Sequence, residues 1–270
     1  MTASDEHAER FTLLRPLLFT IAYEILGSAT EADDVLQDSY LRWAAVDLGE
    51  VRDTKAYLAQ LVTRQALNTL RAEARRREDY VGPWLPEPLL LDDRDASADV
   101  VLAESVSMAM LVVLETLSPD ERAVFVLREV FGFNHDEIAT AIGKSTAAVR
   151  QMAHRAREHV QSRRKRFEPV DPHQSVQITT QFLTAAATGD VEGLMAMLAP
   201  DVVFTSDSDG KVSAARRPVL GAPKVARLIA GLLSQAGPQH RIEVAAYNNA
   251  PALVVYEDDV PVSVVSMEII

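Results

Sequence analysis

Between Lys144 and Arg166 the chain carries eight basic residues and one acid, although the whole protein of 270 residues has a formal net charge of -12. Cations gathered in one place on an acidic chain point to a polyanion contact, because charge needed only for solubility is better scattered. Spacing sorts these side chains. Val149, Met152, Ala156 and Val160 recur every three or four residues and predict the inward stripe of a helix. The outward set is then Thr146, Ala147, Arg150, Gln151, His154, Arg155 and Arg157. Arg and Gln can form paired hydrogen bonds with base edges, whereas the later cations Arg163, Arg164, Lys165 and Arg166 serve only phosphate or water. Upstream, Ile138, Ala139 and Ile142 form a shorter apolar stripe, Gly143 permits a turn, and Ser145 can cap the longer helix after it. This is helix-turn-helix spacing, and it favours DNA reading over a merely solvated helix face.

The elements before this motif read as helices. Leu14, Leu17, Leu18, Ile21, Ile25 and Leu26 recur at helical intervals up to Gly27, and Thr30 can cap a second helix. There Ala32, Val35, Leu36, Tyr40 and Trp43 form the apolar stripe, leaving Glu31, Asp34, Gln37 and Asp38 outside. Compensation of the helix dipole explains Glu31 and Asp33 better than Asp38. A third helix begins near Asp53, buries Tyr57, Leu58, Leu61, Val62, Leu67 and Leu70, and ends in Arg71, Arg75, Arg76 and Arg77. Cations there suit the helix dipole and phosphate equally.

Gly82 and prolines at 83, 86 and 88 exclude a helix interior and predict an extended linker. Trp84, Leu85 and the leucines at 89–91 are costly to leave in water, so part of the linker is expected to dock on a folded surface. Helical spacing returns from about Ala98. Ser118, Pro119 and Glu121 predict a capping box for a helix that carries Val124, Leu127, Val130 and Phe131 as far as Gly132. After residue 167 the pattern is a helix, a break at Gly189-Asp190, a short helix, a strand, a helix over 222–236 and three β-rich runs. The last run, closing on Ile269-Ile270, reads as an edge strand or one cut short.

Composition bounds the classes. The length suggests two or three compact units. The chain has no cysteine, which excludes disulfides and thiolate metal sites and suits a reducing compartment. No signal peptide stands at "MTASDEHAER", and no apolar run approaches the roughly 20 residues of a membrane helix. A cytoplasmic protein without metal, cofactor or membrane contact is expected.

The order of these blocks carries a resemblance. "EADDVLQDSYLRW", then "LVTRQALNTLRAEARRR", a linker, and "LSPDERAVFVLREVFGFNHDEIATAIGKSTAAVRQMAHRARE" resemble the extracytoplasmic-function sigma factors of bacterial RNA polymerase. The linker and C-terminal segment are similar to the sigma-J type, which carries a fused SnoaL-like domain. The resemblance implies two all-α sigma domains, the second with the helix-turn-helix, followed by an α+β cone of the nuclear-transport-factor-like kind. Its implied boundaries are 1–79 for domain 2, 80–97 for the linker, 98–167 for domain 4 and 168–270 for the regulatory domain.

The implied partners are core polymerase, through its β′ clamp helices and β flap, and promoter DNA, with the chain acting as a monomer in transcription initiation. By similarity Asp34, Gln37 and Asp38 contact the clamp helices. Arg64, Gln65, Asn68, Arg71, Arg75 and Arg76 lie where the family reads the −10 element and holds the melted strand. Arg64 stands where a smaller polar residue is usual. Thr146, Ala147, Arg150, Gln151, His154 and Arg155 correspond to the helix that enters the −35 major groove. The subgroup's extension resembles a built-in regulator in place of a separate anti-sigma protein, which implies interdomain roles for Trp84 and Pro86. "SDSDGKV" keeps Asp207, Asp209, Gly210 and Lys211 of the subgroup's motif but has one glycine. Two rivals are a ligand-responsive helix-turn-helix repressor and residual isomerase or hydrolase chemistry in the cone, for which Asp201, His240 and Tyr247 are the candidates. A protein that is not an enzyme is expected.

Overall fold

A computed structural model of the chain describes residues 3–77, 84–90, 107–164, 171–207, 217–248 and 250–269. The chain divides into two compact units. The first holds residues 1–79 and 86–166, the second residues 80–85 and 167–270.

The first unit is helical. Helices α1 (Ala3–Leu26), α2 (Ala29–Trp43) and α3 (Thr54–Arg77) pack on one another. Most of the apolar stripes form their shared core: Leu18, Ile21, Ile25, Leu26, Val35, Leu36, Trp43, Leu58, Val62 and Leu67 are buried, whereas Tyr57, expected on the inward stripe of α3, is exposed at the end of its first turn. The Trp43 indole donates to the His7 carbonyl at 2.9 Å, so the polar end of this large side chain is satisfied inside the core. Ser28, not Thr30, caps α2, because its hydroxyl accepts from the Glu31 amide at 3.2 Å. Gly27 ends α1 with φ of +77°. A Cβ there would lie 2.9 Å from Glu115 Oε1, so glycine is required by both backbone conformation and space.

The same unit continues with α4 (Met108–Leu114), α5 (Pro119–Phe125), a π-helical turn over Val126–Val130, α6 (His135–Ile142) and α7 (Thr146–Arg164). The expected helical spacing over 98–106 lies outside the described residues. Ser118 accepts from the Glu121 amide at 3.4 Å, and its hydroxyl donates to that residue's own carboxylate at 2.7 Å. The full reciprocal box stands at α6, where Asn134 accepts from the Asp136 and Glu137 amides and Glu137 accepts from the Asn134 amide. Gly143, with φ of +70°, turns α6 into α7. The Ser145 hydroxyl then accepts from the Ala148 amide at 3.2 Å.

The helices before the linker and those after it pack together within this unit. Arg122 on α5, only 2% exposed, donates to the Glu24 carbonyl of α1 at 2.9 Å and pairs with Glu115 at 2.5 Å. Beside it, Pro86 is buried and the Glu87 amide donates to the Gly27 carbonyl at 2.7 Å. The Tyr23 hydroxyl in turn donates to the Glu87 carbonyl at 2.7 Å.

The second unit is α+β. Helices α8 (Pro172–Ala187), α9 (Val191–Met197) and α10 (Ala222–Ser234) pack around Phe182, Ala186, Leu194, Ala226 and Leu253. A two-residue ribbon pairs β1 (Val203–Phe204) with β2 (Val219–Leu220). The larger antiparallel sheet has the order β3 (His240–Tyr247), β4 (Ala250–Glu257), β5 (Val260–Ser266). Between β4 and β5, Asp258 and Asp259 both take positive φ, 48° and 64°, as a tight hairpin of this twist requires. Among the described residues β5 stands at an edge of this sheet. The all-α class of the first unit and the α+β class of the second stand as expected.

Candidate nucleic-acid interface

Helix α7 divides as its spacing predicts. Val149, Met152, Ala156 and Val160 are buried, while Ala147, Arg150, Gln151, His154 and Arg155 are exposed and Thr146 is half-buried. The outward residues differ in what holds them. The Thr146 hydroxyl donates to Asp136 at 2.6 Å, Arg155 pairs with Glu121 at 3.0 Å, Arg157 pairs with Glu129 at 2.5 Å, and His154 lies 3.6 Å from Glu158. Burial opposes ionisation of Glu121, but hydrogen bonds from Ser118 and Arg155 outweigh it and hold the carboxyl below its ordinary range. Among the described residues Arg150 and Gln151 have no side-chain partner, so the two groups best suited to paired base contacts stand unengaged. Arg163 shares a 3.1 Å contact with His159 Nδ1, while Lys165 and Arg166 lie outside the described residues.

Helix α3 carries the second set. At 100° per residue Arg64, Asn68, Arg71 and Arg75 fall on one line, with Gln65 and Arg76 flanking it. Asn68 is exposed. Arg64 donates through Nε to the Ala141 carbonyl at 3.2 Å and through Nη2 to the Thr140 carbonyl at 3.0 Å, capping the C-terminal end of α6. Carbonyls there lack intrahelical donors, so a guanidinium satisfies them and complements the helix dipole. Arg71 pairs with Asp120 Oδ1 at 2.5 Å, and Lys144 pairs with the other oxygen at 2.9 Å. Burial raises the Asp120 pKa, yet the hydrogen bonds and charges of Lys144 and Arg71 prevail and leave it below the usual carboxylate range. The backbone of α3 includes Arg75 and Arg76, whose side chains lie outside the described residues.

On α2, Asp34, Gln37 and Asp38 are exposed as predicted, and Leu41 extends the same line. With 69% of its surface exposed, this leucine is an apolar side chain amid polar ones, and sequence reasoning missed it. The signal was available: positions 34, 37, 38 and 41 follow the i, i+3, i+4, i+7 rule of one helix face.

The Sigma-70 region 2 family matches residues 11–76, and the Sigma-70 region 4 family matches residues 107–160. ECF RNA polymerase sigma factor SigJ of Mycobacterium tuberculosis is 41% identical over 232 residues, covering 84% of this chain and 73% of that protein. The chain belongs to the extracytoplasmic-function RNA polymerase sigma factors. Such sigma factors direct RNA polymerase in transcription initiation. The probable sigma factor SigI of the same organism is 30% identical over 210 residues, spanning 77% of this chain and 72% of its own length. The crystal structure of the M. tuberculosis sigma factor SigJ superposes with a TM-score of 0.73 at 32% identity, covering 95% of this chain and 94% of that one.

In this sigma factor Trp84 and Leu85 belong to the C-terminal unit, where the Leu85 amide donates to Asp207 at 3.1 Å. Pro86 belongs to the helical unit. Asp209, Gly210 and Lys211 lie outside the described residues. The three candidates for residual enzyme chemistry are dispersed. Asp201 sits in an exposed turn before β1, and His240 and Tyr247 occupy opposite ends of β3. Seven residues of extended strand separate that pair by about 23 Å, too far to act on one bond. Among the described residues no helix is long and apolar enough to cross a membrane, and no cluster of His, Asp and Glu could hold a metal ion.

Proposed function

We propose that this sigma factor holds core polymerase through the α2 line of Asp34, Gln37, Asp38 and Leu41, reads the −10 element from α3, and reads the −35 element from α7. The domain division that goes with this reading is 1–79, a linker over 80–97, 98–167, and a C-terminal regulator over 168–270. One observation supports it above the others: the α7 face built from residues suited to base edges is outward and carries the unengaged Arg150 and Gln151. Arg150 and Gln151 choose sequence, whereas the neighbouring cations add affinity without choice.

The same packing supports a requirement for polymerase. Arg64 and Arg71 are spent on α6 and Asp120 in the free chain, so part of the promoter-reading surface is occupied by the protein itself. The bare protein therefore binds promoter duplex weakly, and core enzyme releases α3 from the helix-turn-helix. The C-terminal unit acts as the control element, gripping the linker at Leu85 through Asp207, in a monomeric, cytoplasmic and non-enzymatic protein. Transcription in vitro with core polymerase, using the full chain and a chain shortened after residue 170, tests this. Specific initiation by both, with altered output from the shortened chain, is expected. Tight symmetric operator binding without polymerase would overturn the assignment, and equal output from the two chains would remove the regulatory role.

A further inference from the structure

Gln65 sits one residue beyond Arg64 on α3, which turns it 100° away from the line that faces α6 and towards α2. There it meets Arg42, in the last turn of α2. The orientation of the Gln65 amide follows from its neighbours: with oxygen toward the guanidinium, that oxygen accepts from Arg42 Nε at 2.8 Å and from Nη2 at 3.1 Å. Both oxygen lone pairs are then used by one rigid, planar, charged fork, a stronger and more directional hold than a neutral donor provides. Arg42 itself is exposed and Gln65 is half-buried, so the pair lies at the surface of the bundle.

An unrestrained glutamine amide offers a donor and an acceptor together and pairs bidentately with adenine at N6 and N7. A glutamine whose oxygen is already taken offers only its two N–H groups. Those suit edges that present acceptors, such as guanine O6 and N7 or thymine O4, and leave the adenine N6 and cytosine N4 amino groups without a partner. We infer that Arg42 is a positioning residue for promoter reading: it fixes the Gln65 amide so that only donors face the DNA, which selects against adenine, and likewise cytosine, at the −10 position read by Gln65. This rests on the reading of α3 as the −10 element reader.

The test is a competition. Core RNA polymerase and the full chain transcribe a DNA pool, enriched with the wild-type protein and then randomised one position at a time across the −10 element, and the transcripts are sequenced. Because templates compete in one tube, the base ratio at each position is unaffected by any loss of folded protein or polymerase affinity. The wild type is expected to disfavour adenine at one position on the order of fivefold, the worth of about one hydrogen bond. Arg42→Met and Arg42→Lys should both bring that ratio close to one, since lysine keeps the charge but lacks the fork. Gln65→Ala should erase the preference at the same position.

If Arg42→Met keeps the wild-type ratio while Gln65→Ala changes it, the positioning role falls and the −10 reading stands. If Gln65→Ala alters no position, Gln65 does not read the promoter and both fall. If Arg42→Lys behaves as wild type while Arg42→Met does not, charge and not orientation is what Arg42 supplies, and the inference fails.

Discussion

Asp120 is the point at which the closed packing of the helical unit can be loosened with least damage. Its two oxygens take Arg71 at 2.5 Å and Lys144 at 2.9 Å, with side-chain exposures of 22%, 42% and 37% for Asp120, Arg71 and Lys144. Ion pairs this exposed contribute about 0.2–1 kcal/mol each, so the shared site is worth about 1 kcal/mol, or roughly fivefold in an equilibrium. Arg64 on α6 and the buried Arg122 remain, so Asp120→Asn weakens the packing without unfolding it. If the acid occupies Arg71 in place of phosphate, the variant free of polymerase should bind promoter duplex up to about fivefold more tightly. Freeing two cations should also steepen the plot of log affinity against log salt by about 1 to 2. Fluorescence anisotropy of a labelled duplex across a potassium chloride series measures both. Glu9→Gln, an exposed position on α1, makes the same change in net charge and is the control. Equal affinity and slope for the two variants would refute the idea that Asp120 screens Arg71 from DNA.

Acid should remove what Asp120 contributes. Its folded pKa lies below the ordinary 3.8, so its stabilisation is fully present above about pH 4 and is lost as pH falls through the folded value; the difference in urea midpoint between wild type and Asp120→Asn should shrink only below pH 4. Arg122→Met takes this charge away from the largely buried Glu115 and should destabilise the helical unit on the order of 3 kcal/mol, with the double change Arg122→Met and Glu115→Gln recovering part of it in the same urea titration. Leu41→Ala should leave the unfolding midpoint in place, because the side chain is exposed, yet weaken binding to core polymerase by roughly fivefold in a direct titration. Asp207→Ala removes the acceptor of the Leu85 amide, whose hydrogen exchange should then accelerate by roughly fivefold.

What the sequence discloses depends on how local each cause is. The inward stripe of α7 and the cores of α1, α2 and α3 follow from a 3.6-residue period, and the burial of Val149, Met152, Ala156 and Val160 obeys that count. The three strands of the larger sheet are legible from their β-branched runs and turns. Caps are only partly legible, since Ser28 and Thr30 are both competent and the entry angle after Gly27 decides between them; the capping box of Asn134 and Glu137 was equally open to inspection and was missed. The β2 strand escaped because two residues give no period, and only pairing with Val203 and Phe204 defines them. Least visible was the fate of Arg64, Gln65 and Arg71. Each has a partner 23 to 77 positions away in the chain, on Arg42, Asp120 or α6, and no spacing rule within one helix predicts such a partner.

The most direct measurement of the central claim is start-site mapping with purified core polymerase, on a promoter library, with and without this chain. Initiation at discrete sites that share a −35 and a −10 element, lost when Arg150 and Gln151 are both replaced by alanine, is the predicted result. Initiation that is no more selective with the protein than without it would contradict the account.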